Sequence, residues 1–95
     1  MNVLPSCRLT AMPNVHVRRF DNEMVILHLD KGQYFGLDEV GAAMWDGFAR
    51  GQTLLEVVKS LVEQYEVSEE QLITDAGALV TKLSEAGLAT IQSAD

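Results

Sequence analysis

The sequence has few of the residues that stabilise small secreted proteins and no long apolar segment. It contains one cysteine and two prolines in 95 residues. Cys7 has no partner for an internal disulfide, which fits a reducing compartment. No run approaches the roughly 18–20 consecutive apolar residues of a membrane span. The start, MNVLPSCRL, lacks the basic segment and long apolar run of a signal peptide. We therefore expect a cytoplasmic protein with no membrane partner.

An excess of positive charge is also missing. The chain contains seven lysines and arginines and fourteen aspartates and glutamates, which gives a net charge of −7. Binding to nucleic acid or to an anionic membrane needs a basic surface, so we expect neither. Hydrophobic residues make up 47% of the chain, which is typical of a folded domain. The length favours a single domain.

Recognisable catalytic and metal-binding patterns are absent as well. Cys7, His16 and His28 form the one conceivable zinc set, but no CxxC or HExxH spacing accompanies them. The glycines form no phosphate-binding loop. The carboxylates concentrate at helix starts and on helix surfaces, and no pair stands out as a general acid and base. We expect no metal, no cofactor and no enzymatic activity.

Three strands are predicted in the first half of the chain. VHVRRF (Val15–Phe20) alternates loosely, as a half-buried strand does, and MVILHL (residues 24–29) is apolar and rich in β-branched residues. QYFGL (Gln33–Leu37) is the third. The DNE and DKG segments between them are typical of tight turns. The three strands should therefore form an antiparallel meander.

Three helices follow, and each begins at a residue that can cap it: Asp38, Thr53 and Ser68. TLLE and SEEQ both have the spacing of a capping box. Gly51 and Gly87 are placed to end the first and the third helix.

The order of elements is βββααα with a possible short final strand at residues 88–91. Strands followed by helices predict an α+β fold with the helices on one face of the sheet. We predict an N-terminal arm at residues 1–14, one domain at residues 15–91 and a tail at residues 92–95.

The third strand is the most informative segment. In a meander it lies at an edge, with backbone groups that another chain can pair with, and it contains no lysine or proline to prevent this. Tyr34 and Phe35 point to opposite faces, so only one can enter the core. Gly36 permits close approach of a foreign backbone. If the third helix lies alongside, strand and helix form a groove for an extended peptide.

The sequence resembles the PqqD family of small peptide chaperones from about residue 15 to residue 91. The matching elements are LDEVGAxxW (residues 37–45), GxTxxEVV (51–58), LxxxYxV (61–67), Asp75, and LxxxGL (83–88). The resemblance implies a winged-helix-like domain of the kind called a RiPP recognition element. Such domains bind the leader of a ribosomally made precursor peptide, which adds to the third strand in the cleft against the third helix.

Transferred to this chain, the resemblance implies a peptide site on the third strand and the third helix. Its residues are Gln33, Tyr34, Phe35, Gly36, Leu37, Leu72, Asp75, Ala76, Leu79, Lys82 and Leu83. Which helix residues face the peptide and which face the core is open from the sequence.

The segment GxYFGLDEVG (residues 32–41) is most similar to stand-alone members from lasso-peptide clusters. The resemblance then implies a leader peptidase as the enzyme partner, with a cyclase as a second candidate. The alternative is a partner of a radical-SAM enzyme in pyrroloquinoline quinone or other peptide modification. A DNA-binding winged helix is less favoured, because Lys82 is the only basic residue of the third helix. We expect a monomer, although the bare strand edge would also allow a dimer.

Overall fold

The computed structural model describes residues 5–92, which form five strands and three helices. In chain order these are β1 (Arg8–Ala11), β2 (Val15–Phe20), β3 (Glu23–His28), β4 (Gln33–Leu37), α1 (Glu39–Ala49), α2 (Leu54–Gln64), α3 (Glu69–Glu85) and β5 (Ala89–Gln92). The α+β class, the three helices and the short final strand are confirmed. The outermost parts of the predicted arm and tail, residues 1–4 and 93–95, lie outside the described residues.

The predicted meander is a three-stranded antiparallel sheet in the order β2-β3-β4. Strand β3 starts and ends one residue earlier than predicted. The β2–β3 turn contains two residues and not three, and the β3–β4 loop contains four residues and not three, since His28 pairs with Gln33. Phe20 pairs directly with Glu23, and Asp21 takes a positive φ of 56° in the turn. In the next pair, Met24 lies opposite Leu37.

One face of this sheet packs against the helices. Ile26 in the central strand is completely buried, and so are Leu72 and Val80 of α3. Trp45 and Phe48 of α1 are also part of this core, as their spacing of three residues on one helical face suggests. Removal of such side chains from water is the main favourable contribution to folding.

The N-terminal segment, predicted as an arm, contains a strand. β1 pairs antiparallel with β5, from Arg8 opposite Gln92 to Ala11 opposite Ala89. Cys7 is 1% exposed, and this burial raises the pKa of its thiol. The thiol therefore lies in the core and not in a loose extension.

The same segment also caps α2. The backbone N–H of Leu54 donates to the carbonyl of Cys7, and the N–H of Leu55 donates to the carbonyl of Pro5, both at 2.9 Å. The first N–H groups of a helix have no partner within the helix, so these two bonds satisfy groups that would otherwise depend on water. The N-terminal segment is thus an integral part of the fold.

The three predicted helix caps are present, with one difference. Asp38 Oδ1 accepts from the N–H of Gly41 at 2.8 Å, and Thr53 forms the complete capping box with Glu56. Ser68 Oγ accepts from the N–H of Gln71 at 3.1 Å. The side chain of Gln71, however, donates to Asp75 Oδ1 at 2.9 Å and does not close the second box.

The capping box of α2 predicts a pH-dependent contribution to stability. Hydrogen bonds from the backbone and side chain of Thr53 lower the pKa of Glu56. A carboxyl with a lowered folded-state pKa stabilises the fold above its unfolded pKa, and this contribution is lost as the pH falls through the folded-state pKa. Glu56→Gln should therefore be less stable than the wild type at neutral pH, and urea unfolding midpoints of the two should converge in acid. A constant difference across this range would contradict the assignment.

Candidate functional site

A groove of about 630 Å³ runs between β4 and α3, with α1 beneath it. Ten of its thirteen lining residues are apolar or glycine, and the other three are charged. The lining residues are Phe35, Gly36, Leu37, Asp38, Val40, Gly41, Met44, Val67, Leu72, Asp75, Ala78, Leu79 and Lys82. Its size is within the range of typical ligand pockets in proteins.

The outer edge of β4 forms one rim of this groove. β4 pairs with β3 on one side, and no strand among residues 5–92 pairs with its other side. Alternate residues of such an edge direct backbone N–H and C=O groups away from the sheet. The opposite edge, β2, carries Arg18 and Arg19, charged residues of the kind that discourage strand pairing. Of the two edges, β4 is the one suited to accept a further strand.

The two adjacent aromatic residues of β4 have different environments, as the alternation of a strand requires. Phe35 lies opposite Ile26 on the core face and lines the groove. Tyr34 lies opposite Leu27 on the other face, and 75% of its surface is exposed. The prediction that only one of them enters the core is confirmed.

The structure separates the groove-facing side of α3 from its core side. Four of the six predicted α3 residues line the groove: Leu72, Asp75, Leu79 and Lys82. Ala76 and Leu83 do not, since both are 0% exposed and belong to the core. Leu72 is also fully buried, so it contributes to the groove floor and the core together.

On β4, the residues Phe35, Gly36 and Leu37 line the groove, whereas Gln33 and Tyr34 do not. The predicted set is therefore brought together in part, with Ala76, Leu83 and the side chains of Gln33 and Tyr34 lying elsewhere.

Sequence analysis missed the contribution of α1 and of the segment that precedes α3. Asp38, Val40, Gly41 and Met44 line the groove at the start of α1, and Val67 lines it just before α3. Val40 and Met44 are four residues apart, and this spacing assigns them to the apolar face of α1. A face of this kind is ordinarily assigned to the core, so the pattern alone gave no sign of a groove.

The direction of α3 relative to β4 follows from its C-terminal end. A methyl group built on Gly87 would come within 2.7 Å of Lys31 Nζ, so the end of α3 lies beside the hairpin that leads into β4. The helix and the strand are therefore antiparallel. Lys82 lies towards the beginning of β4, and Asp75 lies towards its end, where Asp38 caps α1.

Close to the end of β4, a hydrogen bond joins the start of α1 to the C-terminal end of α2. Tyr65 Oη donates to Glu39 Oε2 at 2.9 Å. This bond and the carboxylate charge raise the pKa of the Tyr65 hydroxyl. Glu39 is thus already engaged within the domain.

The two histidines and the cysteine do not come together as a metal site in the part of the chain that the structure describes. His28 shares the core face with Val15, its partner on β2, so His16, the next residue, points to the other face. Within residues 5–92 there is no group of three side chains that could hold a metal ion. In the same part of the chain, no helix has the length and apolar character to cross a bilayer.

The fold and the groove define a class of small α+β domains in which an edge strand and a helix enclose a site for an extended chain. The protein belongs to the PqqD family: residues 23–89 match the family described as coenzyme PQQ synthesis protein D.

Two solved structures are similar to this chain over most of their length. One is TbiB1 in complex with the TbiA(beta) leader peptide, with 30% identity, a TM-score of 0.78, and coverage of 84% of this chain and 93% of that chain. The other is lasso peptide synthetase B1 complexed with the leader peptide, with 32% identity, a TM-score of 0.78, and coverage of 90% and 98%. Among curated proteins, none matches.

Proposed function

We propose that the protein binds the leader segment of a ribosomally synthesised precursor peptide and delivers it to a separate processing enzyme. The leader adds as a strand to the free edge of β4, with alternate side chains entering the groove against α3. The observation that carries this proposal is the open β4 edge beside an apolar groove of about 630 Å³.

Strand addition divides the binding energy into two parts. Backbone hydrogen bonds to β4 provide affinity that depends little on sequence, and pockets for alternate side chains provide selectivity. Phe35, Met44 and Leu79 give the groove apolar walls and floor. They would accept apolar leader side chains, whose removal from water contributes most of the selective energy.

The proposed role is non-catalytic. The polar side chains that line the groove, two aspartates and one lysine, stand among apolar neighbours. Holding the leader raises the local concentration of the attached core peptide at the enzyme, as any tether between two sites does. The protein therefore acts as an adaptor, and the chemistry belongs to its partner.

The similar structures favour lasso-peptide biosynthesis over pyrroloquinoline quinone formation as the setting. Both contain a leader peptide, and one is a lasso peptide synthetase component. The enzyme partner we propose is accordingly a leader peptidase, with a radical-SAM enzyme as the alternative. DNA binding is disfavoured by the acidic residues of α3, which carries Glu69, Glu70, Asp75 and Glu85 against Lys82.

The test is a titration of the purified protein against the fluorescein-labelled leader of the precursor encoded beside it, read by fluorescence anisotropy. We expect saturable binding with a dissociation constant of about 1 µM or lower. The entropy lost when a flexible peptide is ordered in the groove offsets part of the contact energy and limits the affinity. A scrambled leader and a labelled DNA duplex are the controls. Equal binding of leader and scrambled peptide, or binding of the duplex alone, would overturn the proposal.

A further inference from the structure

We propose that the groove selects its peptide by charge as well as by apolar contacts: a basic side chain is bound at the Asp38–Asp75 end and an acidic one at the Lys82 end. This inference rests on the proposed function, since it describes the selectivity of the same groove. It names the chemical class of the ligand, an extended peptide with one apolar residue between two residues of opposite charge.

The first observation is the separation of charge along the groove. Asp38, Asp75 and Lys82 are the charged residues among its lining. Because α3 runs antiparallel to β4, the two aspartates lie at the end of β4 and the lysine towards its beginning. Lys31, beside Gly87, adds a second cation on the lysine side of the domain. The groove is therefore negative at one end and positive at the other.

The second observation is that these charges have no counterion among the residues that the structure describes. The ion pairs among residues 5–92 are Arg19–Asp46 and Lys59–Glu69, and neither involves the groove. Asp38 and Asp75 each use one oxygen, Oδ1, to accept a hydrogen bond from their own helix. Their second oxygens remain available to a ligand. Lys82 is exposed and available in the same way.

The spacing of the charges suits an extended peptide. Asp75 and Lys82 are seven positions apart on a helix that rises about 1.5 Å per residue, which separates them by about 10 Å along the axis. A strand rises about 3.3 Å per residue, and alternate side chains share a face. Groove-facing positions i and i+4 of the peptide are about 13 Å apart, so they reach the two ends and leave position i+2 over the apolar centre.

The contribution of each charge to the affinity is small, because these side chains are exposed. An ion pair at the surface contributes little and is screened by salt. We expect each matched charge to improve the affinity about three- to fivefold at low ionic strength. The apolar residue at i+2 accounts for most of the affinity, and the charges fix the register and direction of the peptide in the groove.

The experiment is selection from a displayed library of random 12-residue peptides against the wild-type protein and two variants, Lys82→Glu and Asp75→Lys. Binders of the wild type should be enriched in a basic and an acidic residue about four positions apart around an apolar one. Lys82→Glu should replace the acidic preference with a basic one, and Asp75→Lys should replace the basic preference with an acidic one. Both positions are exposed on α3, so both variants should remain folded at the selection temperature, and thermal unfolding checks this.

Two control variants distinguish the effect of a charge in the groove from the effect of the net charge of the protein. Lys59→Glu on α2 changes the net charge as Lys82→Glu does, and Glu85→Lys on α3 changes it as Asp75→Lys does. Neither residue lines the groove, so both should select the same peptides as the wild type. Binders without a charge preference, or a preference that the controls alter equally, would overturn this inference and leave the proposed function standing. If the library yields no binders to the wild type while the labelled leader binds by anisotropy, this inference is overturned and the proposed function stands. No binding in either assay would overturn both.

Discussion

Replacing Leu79 with aspartate is expected to weaken leader binding at least tenfold while leaving the protein folded. Leu79 lines the groove on α3 and is half-buried, so its side chain is positioned to contact a docked peptide. The substitution removes an apolar contact and places a charge where the peptide would exclude water, and each effect is of the order of 1 kcal/mol or more. Anisotropy titration measures the affinity, and urea unfolding measures the stability of the same sample.

Leu83→Ala is the matched control, one helical turn further along α3. Leu83 is 0% exposed and lies in the core. Truncation of such a side chain typically costs about 2–5 kcal/mol in the free energy of unfolding. Under conditions where the variant remains folded, its affinity for the leader should equal that of the wild type. If Leu79→Asp bound the leader normally, or if Leu83→Ala weakened binding without unfolding, the division of α3 into groove and core sides would be wrong.

The second large effect is expected from removal of residues 1–11. This deletion takes away β1, the pairing partner of β5, and the carbonyls of Pro5 and Cys7 that accept from the start of α2. It also removes the buried side chains of Cys7 and Leu9 from the core. Burial of one leucine contributes about 1.5–3 kcal/mol and a helix cap about 1 kcal/mol. We expect a loss of at least about 3 kcal/mol in the free energy of unfolding, measured by urea denaturation.

Point substitutions in β1 make this test specific. Leu9 is buried and Thr10, its neighbour, is exposed on the other face. Leu9→Ala should lower the unfolding midpoint clearly, whereas Thr10→Ala should change it little. An identical midpoint for the truncated and the full-length protein would show that the N-terminal segment contributes nothing to stability.

Local signals explain which elements could be read from the sequence. The three caps at Asp38, Thr53 and Ser68 depend on residues three positions apart, so they are visible without knowledge of the fold. The tight turns and the alternation of the strands are local in the same sense. β1 has no such signal: four residues, RLTA, become a strand because β5 lies beside them, and that partner comes from the other end of the chain.

The candidate site shows the same division. The sequence determined that β4 is an edge strand with two aromatic residues on opposite faces, because strand order in a meander and the alternation of side chains are fixed by short-range geometry. Only the tertiary structure decided that Leu79 faces the groove while Leu83 enters the core, and that Val40 and Met44 lie at the groove. Apolar residues one turn apart on an amphipathic helix look alike in the sequence. Whether each contacts the core or the groove depends on how α1, α3 and β4 pack together.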